Sequence, residues 1–481
     1  MDGSHRVVLP WKKAKRVGLM HLETNPKDHF TRTSKKAVPI RLMTRRDFAD
    51  SKGDLSKTAV NWAKANGFSG ETGQVCLIAD ENGQLNEVLF GLGGGSGERK
   101  SLIHGKLART LPEGKYTLCG SVLDTALAQL AWAMGGYSFD RYRSRKHKTP
   151  QLAGPTDNGQ MIAAQAVFLA RDLINTPAGD MGPDALEKAF RKLAKTHQAK
   201  VTCIAGDKLL TKNFPMVHAV GRASAVAPRV LDMSWGKASH PKVTLVGKGV
   251  TFDTGGLNIK PGQSMALMKK DMGGAANVMG LAHMIMAAKL PVRLRLIVGA
   301  VENAISGNAF RPGDILQTRN GMTVEIGNTD AEGRLVLGDC LTLGDEDKPD
   351  MMIDMATLTG AARVALGPDL PPFYTHDPEF AASLKEAAEK VSDPLWHMPL
   401  WDPYTSMLSS KTADINHIST GGHAGSITAA LFLDQFVKNA KTWAHLDIFG
   451  WAPTEQPWAS VGGEAQGIRA LYQVITQRYG K

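Results

Sequence analysis

The stretch that decides the fold is "KVTLVGKGVTFDTGGLNIKP", residues 242–261. The part before Asp253 is rich in apolar side chains, as expected of a buried strand, and paired glycines follow it. Two further β-rich runs are "VRLRLIVGAVEN" (residues 292–303) and "DMMIDMATLTG" (residues 350–360), and helical patterns such as "AANVMGLAHMIMAAKL" (residues 275–290) separate these runs. Alternating strands and helices predict an α/β fold whose mainly parallel central sheet is flanked by helices, with chemistry at the carboxyl ends of the strands.

The chain is long enough for more than one domain. Short apolar segments alternate with helical stretches in the first part, which predicts a smaller N-terminal α/β domain over residues 1–150. The stretch "QMIAAQAVFLARDLINTP" (residues 160–177) predicts a long helix that ends before Pro177, so residues 151–176 are interpreted as a linker helix. Residues 177–481 are then expected to form a larger C-terminal α/β domain.

The chain carries 57 Lys and Arg residues against 46 Asp and Glu residues, a formal net charge of +11. Basic surface attracts phosphate groups, which makes nucleic-acid binding a hypothesis. The charges are scattered, however, and only the run "RYRSRKHK" (residues 141–148) is dense. Such a run is typical of a solvated segment, so DNA is expected at most as a secondary partner.

The 4 cysteines are widely spaced and form no CxxC pair. The sequence therefore indicates neither a disulfide framework nor a thiolate zinc site. No apolar stretch is long enough for the core of a signal peptide or for a membrane span. These features predict a cytoplasmic protein with no membrane partner.

The first cluster of charged residues lies in and after the opening stretch and comprises Lys248, Asp253, Lys260 and Asp271. Each residue has a simple structural alternative. Asp253 could belong to a turn, Asp271 could cap a helix starting near Gly273, and the lysines could lie in solvated loops. Taken singly, none of the four identifies a functional site.

The second cluster lies in "NTDAEGRL" (residues 328–335), where Thr329 and Glu332 fit the capping box of a helix start. In an extended chain, Asp330, Glu332 and Arg334 would instead share one face. The preceding run "MTVEIG" is strand-like, which would place the carboxylates at the functional edge of the sheet. Four converging carboxylates repel one another and raise one another's pKa values, and divalent metal relieves this repulsion. Two metals that share bridging carboxylates activate water for hydrolysis.

Other hydrolytic chemistries find less support in the sequence. The chain has no HExxH, no GxSxG and no GxxxxGK[ST] motif, and its histidines are dispersed. Two-metal phosphoryl hydrolysis stays open as an alternative, although only Arg334 and the two lysines look placed to hold a phosphate.

Four blocks carry a family resemblance: "VGKGVTFDTGGLNIKP", "MKKDMGGAANV", "NTDAEGRLVLGD" and "DMATLTGA". In letters, order and spacing, the chain resembles the leucyl (cytosol) aminopeptidases, which are two-metal exopeptidases. The resemblance extends from about Asn175 to the C-terminus and is weaker before it. It therefore implies that residues 177–481 form the catalytic two-metal peptidase domain. It implies a metal-dependent aminopeptidase that releases N-terminal amino acids from peptides, with broad apolar preference. It also implies a homo-oligomer, a hexamer built as a dimer of trimers. Some relatives in this family bind DNA as accessory proteins.

The resemblance also implies two divalent metal ions per subunit, Mn²⁺ or Zn²⁺. The positions that match the metal ligands are Lys248, Asp253, Asp271, Asp330 and Glu332. In this comparison Asp253 and Glu332 bridge both ions. A lysine binds metal only when neutral, so Lys248 is expected to have a strongly lowered pKa beside two cations.

Lys260 and Arg334 match the two catalytic positions of the family. The implied reaction is attack on the substrate carbonyl by a hydroxide that bridges the two ions. Lys260 would stabilise the oxyanion, and Arg334 would hold a bicarbonate that acts as the general base.

Five positions match the lining of the pocket for the first side chain of the substrate: Met268, Asn328, Thr357, Leu358 and Gly360. Ordinary core packing is an equally simple explanation for Met268. The chain departs from the family at Phe449, where a small residue is usual, and in the segment "WAPTEQPWASVGGEAQG". Both departures lie late in the chain, near where the family closes the substrate pocket. The resemblance therefore does not imply a preference for leucine.

Overall fold

The computed structural model describes residues 25–32, 36–50, 55–94, 102–120, 124–144, 149–154 and 156–480. These residues form a two-domain α/β structure with two large sheets, each with helices packed against it. The fold class predicted from the sequence is confirmed. The dense basic run falls only partly within this description, since residues 145–148 lie outside it.

The first large sheet lies in the N-terminal part of the chain. Its strands are β1 (Phe30–Thr31), β2 (Val38–Thr44), β3 (Val75–Ala79), β4 (Leu85–Gly93), β5 (Lys115–Gly120) and β6 (Gln151–Ala153). The accompanying helices are α1 (Arg45–Asp50), α2 (Lys57–Ala65), α3 (Gly105–Thr110) and α4 (Thr125–Gly136). The strand order is β1-β6-β5-β2-β4-β3, and all neighbours are parallel except β3 and β4. Ile40, Phe90 and Trp132 lie at the centre of its core.

A long helix, α5 (Asn158–Asn175), connects the two sheets. Asp157 caps its start by accepting a hydrogen bond from the backbone N–H of Gln160 at 2.8 Å. It ends at Asn175, two residues before Pro177, because a proline restricts the backbone of the residue before it. Most of its length is buried, and it packs against α4 and against the helix Gly273–Ala287.

The second large sheet has eight strands. They are β7 (Lys200–Ala205), β8 (Arg229–Trp235), β9 (Lys242–Asp253), β10 (Arg293–Asn303), β13 (Met351–Ala356), β14 (Pro372–Tyr374), β15 (Trp396–His397) and β17 (Trp443–Asp447). Two small sheets contain β11 (Ile315–Gln317), β12 (Thr323–Glu325) and β16 (Ile415–Asn416), and β18 (Trp451–Ala452) and β19 (Gly462–Gly463). The large sheet has the order β15-β14-β17-β13-β9-β10-β8-β7, and its central strands β17, β13, β9 and β10 are parallel.

Helices cover both faces of this sheet. They are α6 (Pro183–Thr196), α7 (Lys208–Thr211), α8 (Pro215–Gly221), α9 (Gly262–Met265), α10 (Gly273–Ala287), α11 (Glu332–Asp345), α12 (Gly360–Leu366), α13 (Pro378–Lys390), α14 (Gly425–Asp434) and α15 (Ile468–Tyr479). Strand β9 shows why two layers are needed, since its side chains alternate between the faces. Val243 and Leu245 pack into one core with α10 and α15, whereas Val246 and Val250 pack into the other with α8 and α11.

The parallel strands end at one edge of the sheet. Asp253 at the end of β9 pairs in register with Asn303 at the end of β10, and β13 ends just before Thr357. Among the described residues, no helix is long and apolar enough to cross a membrane.

Candidate metal centre

Lys248 is a buried lysine within β9, with only 3% of its surface exposed. Its Nζ lies 2.8 Å from Asp271 Oδ2 and 3.0 Å from Glu332 Oε1. It also donates a hydrogen bond to the backbone oxygen of Thr357 at 3.0 Å. One side chain therefore joins three separate segments at the carboxyl edge of the sheet.

Asp253 lies at the end of the same strand and is held from both sides. Its Oδ1 accepts hydrogen bonds from the N–H of Gly255 at 2.9 Å and from Asn303 Nδ2 at 2.8 Å. Its Oδ2 lies 2.8 Å from Lys260 Nζ. Gly255 has φ +87°, and an added Cβ would lie 2.9 Å from Asp330 Oδ1. The turn after β9 therefore needs glycine both for its left-handed backbone and for space beside the carboxylates.

Asp271 lies in a short 3₁₀ helix, Met268–Met272, directly before α10. It does not cap that helix, since the N-cap residue is Met272 and makes no side-chain cap. Its Oδ1 instead accepts a hydrogen bond from Thr357 Oγ1 at 2.7 Å. The carboxylate is therefore directed toward the end of β13 and toward Lys248.

The segment "NTDAEGRL" corrects two expectations. Residues 329–331 form a 3₁₀ turn and α11 begins at Glu332, so the extended backbone considered for Asp330, Glu332 and Arg334 is wrong. The preceding strand, β12, belongs to a small three-stranded sheet and not to the central one. Acidic side chains gather here because the short turn and the first turn of α11 bring them together. The carboxylates of Asp253, Asp330 and Glu332 each offer an oxygen, and these oxygens lie within 4.8 Å of one another.

The capping box is also absent from this segment. The Thr329 hydroxyl donates to the backbone oxygen of Gly255 at 2.6 Å and accepts from the N–H of Asn258 at 2.9 Å. It thereby joins the loop after β9 to the start of α11. Glu332 consequently points toward Lys248 and the other carboxylates, away from its own backbone.

The buried carboxylate oxygens fit divalent metal. Asp271 Oδ2, Asp330 Oδ1 and both Glu332 oxygens accept no hydrogen bond from any residue that the structure describes. The ammonium groups of Lys248 and Lys260 lie at ion-pair distance from three of these four oxygens. Two ammonium groups do not balance four closely placed carboxylates, and hard cations with oxygen ligands remove the cost of the remaining buried charge.

The electrostatics of the cluster reflect this crowding. Burial and the neighbouring Asp253 raise the pKa of Glu332 to about 8. Burial lowers the pKa of Lys248, but the carboxylates of Asp271, Glu332 and Asp253 outweigh it and raise this pKa above its ordinary value. The lowered pKa that the family resemblance implies for Lys248 applies to the protein with two metal cations beside the lysine. Without them the carboxylates dominate, and the lysine is protonated.

Arg334 lies one turn into α11 and is nearly buried, with 7% of its surface exposed. Its Nη1 donates to the backbone oxygen of His417 at 2.7 Å, and its Nε has no hydrogen-bond partner among the described residues. Burial lowers the pKa of Arg334 to about 10, so the group is still a cation at neutral pH. Part of the Arg334 guanidinium group is therefore available to bind an anion.

The residues predicted to line the substrate pocket lie in segments that carry or contact the cluster. Thr357, Leu358 and Gly360 follow β13, and Met268 begins the 3₁₀ helix that carries Asp271. Met268 is partly exposed and belongs to none of the hydrophobic clusters found within the described ranges. Asn328 has a local role as well, because its Oδ1 accepts a hydrogen bond from the N–H of Asp330 at 2.8 Å.

Several residues at the site were missed by the sequence reasoning. Asn303 donates to Asp253 and, at 3.0 Å, to the backbone oxygen of Thr329. Asp447 accepts from the N–H groups of Leu358 and Thr359 and thereby holds the segment after β13. Their position along the chain could have identified them, since each is the last residue of a strand of the central sheet, at the edge where the predicted ligands lie.

Two family models match the chain. The model described as "Cytosol aminopeptidase family, catalytic domain" matches residues 168–472, and the one described as "M17 aminopeptidase, N-terminal domain" matches residues 38–155. A "Probable cytosol aminopeptidase" from Roseiflexus castenholzii is 42% identical over 363 residues, which cover 71% of this chain and 74% of that protein.

Solved structures agree with these matches. The crystal structure of a cytosol aminopeptidase from Coxiella burnetii has a TM-score of 0.90 at 44% identity and covers 94% of this chain and 100% of its own. The bottromycin maturation enzyme BotP in complex with Mn has a TM-score of 0.83 at 31% identity and covers 92% of this chain and 100% of its own.

Together, the fold and these matches define the class of the protein, a hydrolase of the aminopeptidase type that releases N-terminal residues from peptides. The chain belongs to the cytosol aminopeptidase family. The resemblance seen in its sequence blocks is confirmed.

Proposed function

We propose that this aminopeptidase works with two divalent metal ions held at the carboxyl edge of the second sheet. The residues that would hold them are Lys248, Asp253, Asp271, Asp330 and Glu332. The observation that carries the proposal is the set of buried carboxylate oxygens that accept no hydrogen bond within the described part of the chain. Asp253, Asp330 and Glu332 each offer an oxygen within 4.8 Å of the others, and the family resemblance implies that Asp253 and Glu332 would be shared by both ions.

Two ions at this position would supply a Lewis acid and would lower the pKa of a bound water to near neutral pH. The solved BotP structure contains Mn, which favours Mn²⁺ here, with Zn²⁺ as the alternative. The native metal is a subject for measurement, because oxygen-rich sites with one amine accept both.

Lys260 and Arg334 would provide the catalytic cations of the chain itself. Lys260 Nζ lies against Asp253 and Asp330, and these carboxylates keep it protonated despite its burial. It can donate to a substrate carbonyl and to the oxyanion formed from it. Arg334, with its unpartnered Nε, would hold a bicarbonate that takes the proton from the attacking water.

The substrate is a peptide with a free amino terminus. The amino group and the first carbonyl would lie over the carboxylate cluster, and the first side chain would lie between Met268 on one side and Thr357, Leu358 and Gly360 on the other. Asn328 would support this pocket through the loop that carries Asp330. We propose a broad preference for apolar first residues.

Assembly and location are further parts of the proposal. We infer a homohexamer, a dimer of trimers, and a cytoplasmic location in line with relatives named cytosol aminopeptidases. Light scattering on the purified full chain tests the hexamer. DNA binding stays a secondary hypothesis that rests on the net charge of +11, and a gel shift with a steep salt dependence would support it.

The main experiment measures metal content and activity on one preparation. Protein dialysed against a chelator should lose release of leucine, methionine and alanine from their amides, and Mn²⁺ or Zn²⁺ should restore it. Asp330→Ala should lower both metal occupancy and kcat/KM, because it removes one of the converging oxygens.

A matched control is Asp207→Asn. The Asp207 side chain is 99% exposed and pairs with His218. This variant should keep full metal content and activity. The proposal fails if the reconstituted wild type leaves every amide intact, or if Asp330→Ala keeps the wild-type metal content.

A further inference from the structure

Phe449 lies between the side chains of Lys270 and Arg363, beside the carboxylate cluster. Its ring centroid is 4.8 Å from Lys270 Nζ and 4.6 Å from Arg363 Cζ. Lys270 is almost fully buried, with 2% of its surface exposed. The side chains of Lys270 and Arg363 thus pack against the ring.

The two cations belong to the two sides of the proposed pocket. Lys270 lies two residues after Met268 in the 3₁₀ helix that also carries Asp271. Arg363 lies one turn after Gly360 in α12, and an added Cβ at Gly360 would be 3.7 Å from its Nη2. The Phe449 ring therefore spans the gap between the Met268 side and the Gly360 side.

The backbone of Phe449 is fixed as well. Its N–H and that of Gly450 both donate to Gln466 Oε1 at 2.9 Å. An added Cβ at Gly450 would lie 3.2 Å from Thr357 Cγ2, which shows how closely this turn packs against the segment after β13. The backbone that carries the ring cannot shift without breaking these contacts.

We propose that Phe449 is a specificity-determining residue that closes the pocket for the first side chain, so that the enzyme takes N-terminal residues with small side chains, such as alanine and glycine. This inference rests on the proposed function. It narrows the broad apolar preference to its small members, because a ring fixed across the pocket occupies the volume that a leucine or phenylalanine side chain requires.

Lys270 and Arg363 do not make this pocket selective for acidic substrate side chains. Arg363 donates to the backbone oxygen of Thr359 at 3.2 Å, and Lys270 lies close to the carboxylates of Asp271 and Asp447. Arg363 and Lys270 thus interact with other polar groups of the chain in addition to the Phe449 ring. A small neutral side chain fits this environment better than a carboxylate.

The experiment compares kcat/KM for glycine, alanine, leucine, phenylalanine and glutamate p-nitroanilides on the Mn²⁺-reconstituted full chain. The wild type should favour alanine over leucine by about tenfold or more, the discrimination that a few methylene groups provide in a shaped pocket. Phe449→Ala should raise the leucine-to-alanine ratio by about tenfold or more. Phe449→Leu, which keeps an apolar side chain of substantial size, should leave the ratio within about threefold of the wild type.

A second readout does not depend on turnover. Thermal shifts of the Mn²⁺-loaded protein with the aminophosphonate analogues of alanine and leucine should show that the wild type binds the alanine analogue more tightly and that Phe449→Ala reverses this order. Preference of the wild type for leucine, phenylalanine or glutamate, or an unchanged ratio in Phe449→Ala, would overturn the inference. Loss of all hydrolysis with the binding order retained would contradict the proposed function but not the role of Phe449.

Discussion

Lys248 and Lys260 both lie among the carboxylates, yet their contacts give them different freedom. Lys248 is surrounded by Asp271, Glu332 and the backbone of Thr357, which leaves its amine no room to reach a substrate. Lys260 has a side chain that is 12% exposed and comes from a loop after β9. In the proposed mechanism, Lys260 is therefore the one of these two lysines that could meet a substrate carbonyl.

Replacement of Lys260 by methionine should lower kcat by about 10²–10³-fold, the usual cost of removing one donor to an oxyanion. KM should change little, because the interaction is strongest when negative charge develops on the carbonyl oxygen. Steady-state kinetics on metal-reconstituted protein measures this effect. A variant with equal kcat, or one whose loss is explained by absent metal, would contradict the role of Lys260.

At the scale of elements, the start of α11 is placed by its fit against β9. An added Cβ at Gly333 would lie 2.4 Å from Lys248 Cε and 2.7 Å from its Nζ. Lysine side chains usually yield to such contacts, but Lys248 is fixed by its three partners. Glycine at this position lets the helix approach the strand closely enough for Glu332 to reach the other carboxylates.

Gly333→Ala should therefore displace Lys248 and lower metal occupancy and kcat/KM by about 10–100-fold, the range found when groups that orient metal ligands are disturbed. Metal analysis after gel filtration and kinetics on the same sample measure both effects. Gly262→Ala is the matched control, because its added Cβ meets nothing within 4 Å. Equal metal content in Gly333→Ala and Gly262→Ala would show that the close approach is unimportant.

His417 joins β16 to the loop before α11. Its Nε2 donates to the backbone oxygen of Asn328 at 2.8 Å, and its Nδ1 accepts from the N–H of Gly327 at 3.2 Å. Burial and the neighbouring Arg334 lower the pKa of His417 to about 4. The neutral ring is thus part of the native structure, whereas the unfolded chain binds a proton below about pH 6.5.

The contribution of His417 to stability should be fully present above about pH 6.5 and should be lost as the pH falls toward 4, since the unfolded state then binds more protons than the native state. The loss amounts to about 3 kcal/mol. His417→Gln does not titrate, so its free energy of unfolding should fall less between pH 7 and pH 5 than that of the wild type. Urea denaturation at both pH values measures the difference. The exposed His376→Gln should behave like the wild type, and identical pH profiles for all three proteins would exclude this role.

At the scale of the molecule, Arg171 in α5 ties the two parts of the chain together. It is 1% exposed, donates to the backbone oxygens of Met134 and Trp458, and pairs with Glu464 at 3.0 Å. Met134 belongs to the last turns of α4, whereas Trp458 and Glu464 come from the catalytic part. A single guanidinium thus satisfies buried acceptors from both.

Arg171→Met should lower the free energy of unfolding by about 3–5 kcal/mol, because it leaves the Glu464 carboxylate buried without its cation. Chemical denaturation followed by tryptophan fluorescence measures the change. Arg46→Met is the control, since that arginine has a side chain that is 90% exposed and its ion pair should contribute less than about 1 kcal/mol. Equal losses in the two variants would contradict a joining role for Arg171.

Much of the architecture could be predicted because it depends on neighbours a few residues apart. The apolar run of β9 and the helical spacing of α10 were confirmed. The linker helix expected over residues 151–176 begins only at Asn158 and ends at Asn175, because residues 151–153 form strand β6 of the first sheet. The structure of the "NTDAEGRL" segment was harder to predict. Its letters suit both a capping box and an extended chain, and the structure forms neither, since Thr329 bonds to Gly255 and Asn258 across the loop after β9.

The sequence alone thus determined the alternation of strands and helices and the acidic and basic residues available at the strand ends, since both follow from local spacing and composition. Only the tertiary structure decided which of those residues meet. Asp253 and Glu332 lie 79 positions apart, and their approach depends on how α11 packs against β9. The same holds for Phe449, whose place between Lys270 and Arg363 is set by three segments that are distant along the chain. Long-range packing, rather than local preference, sets these distances.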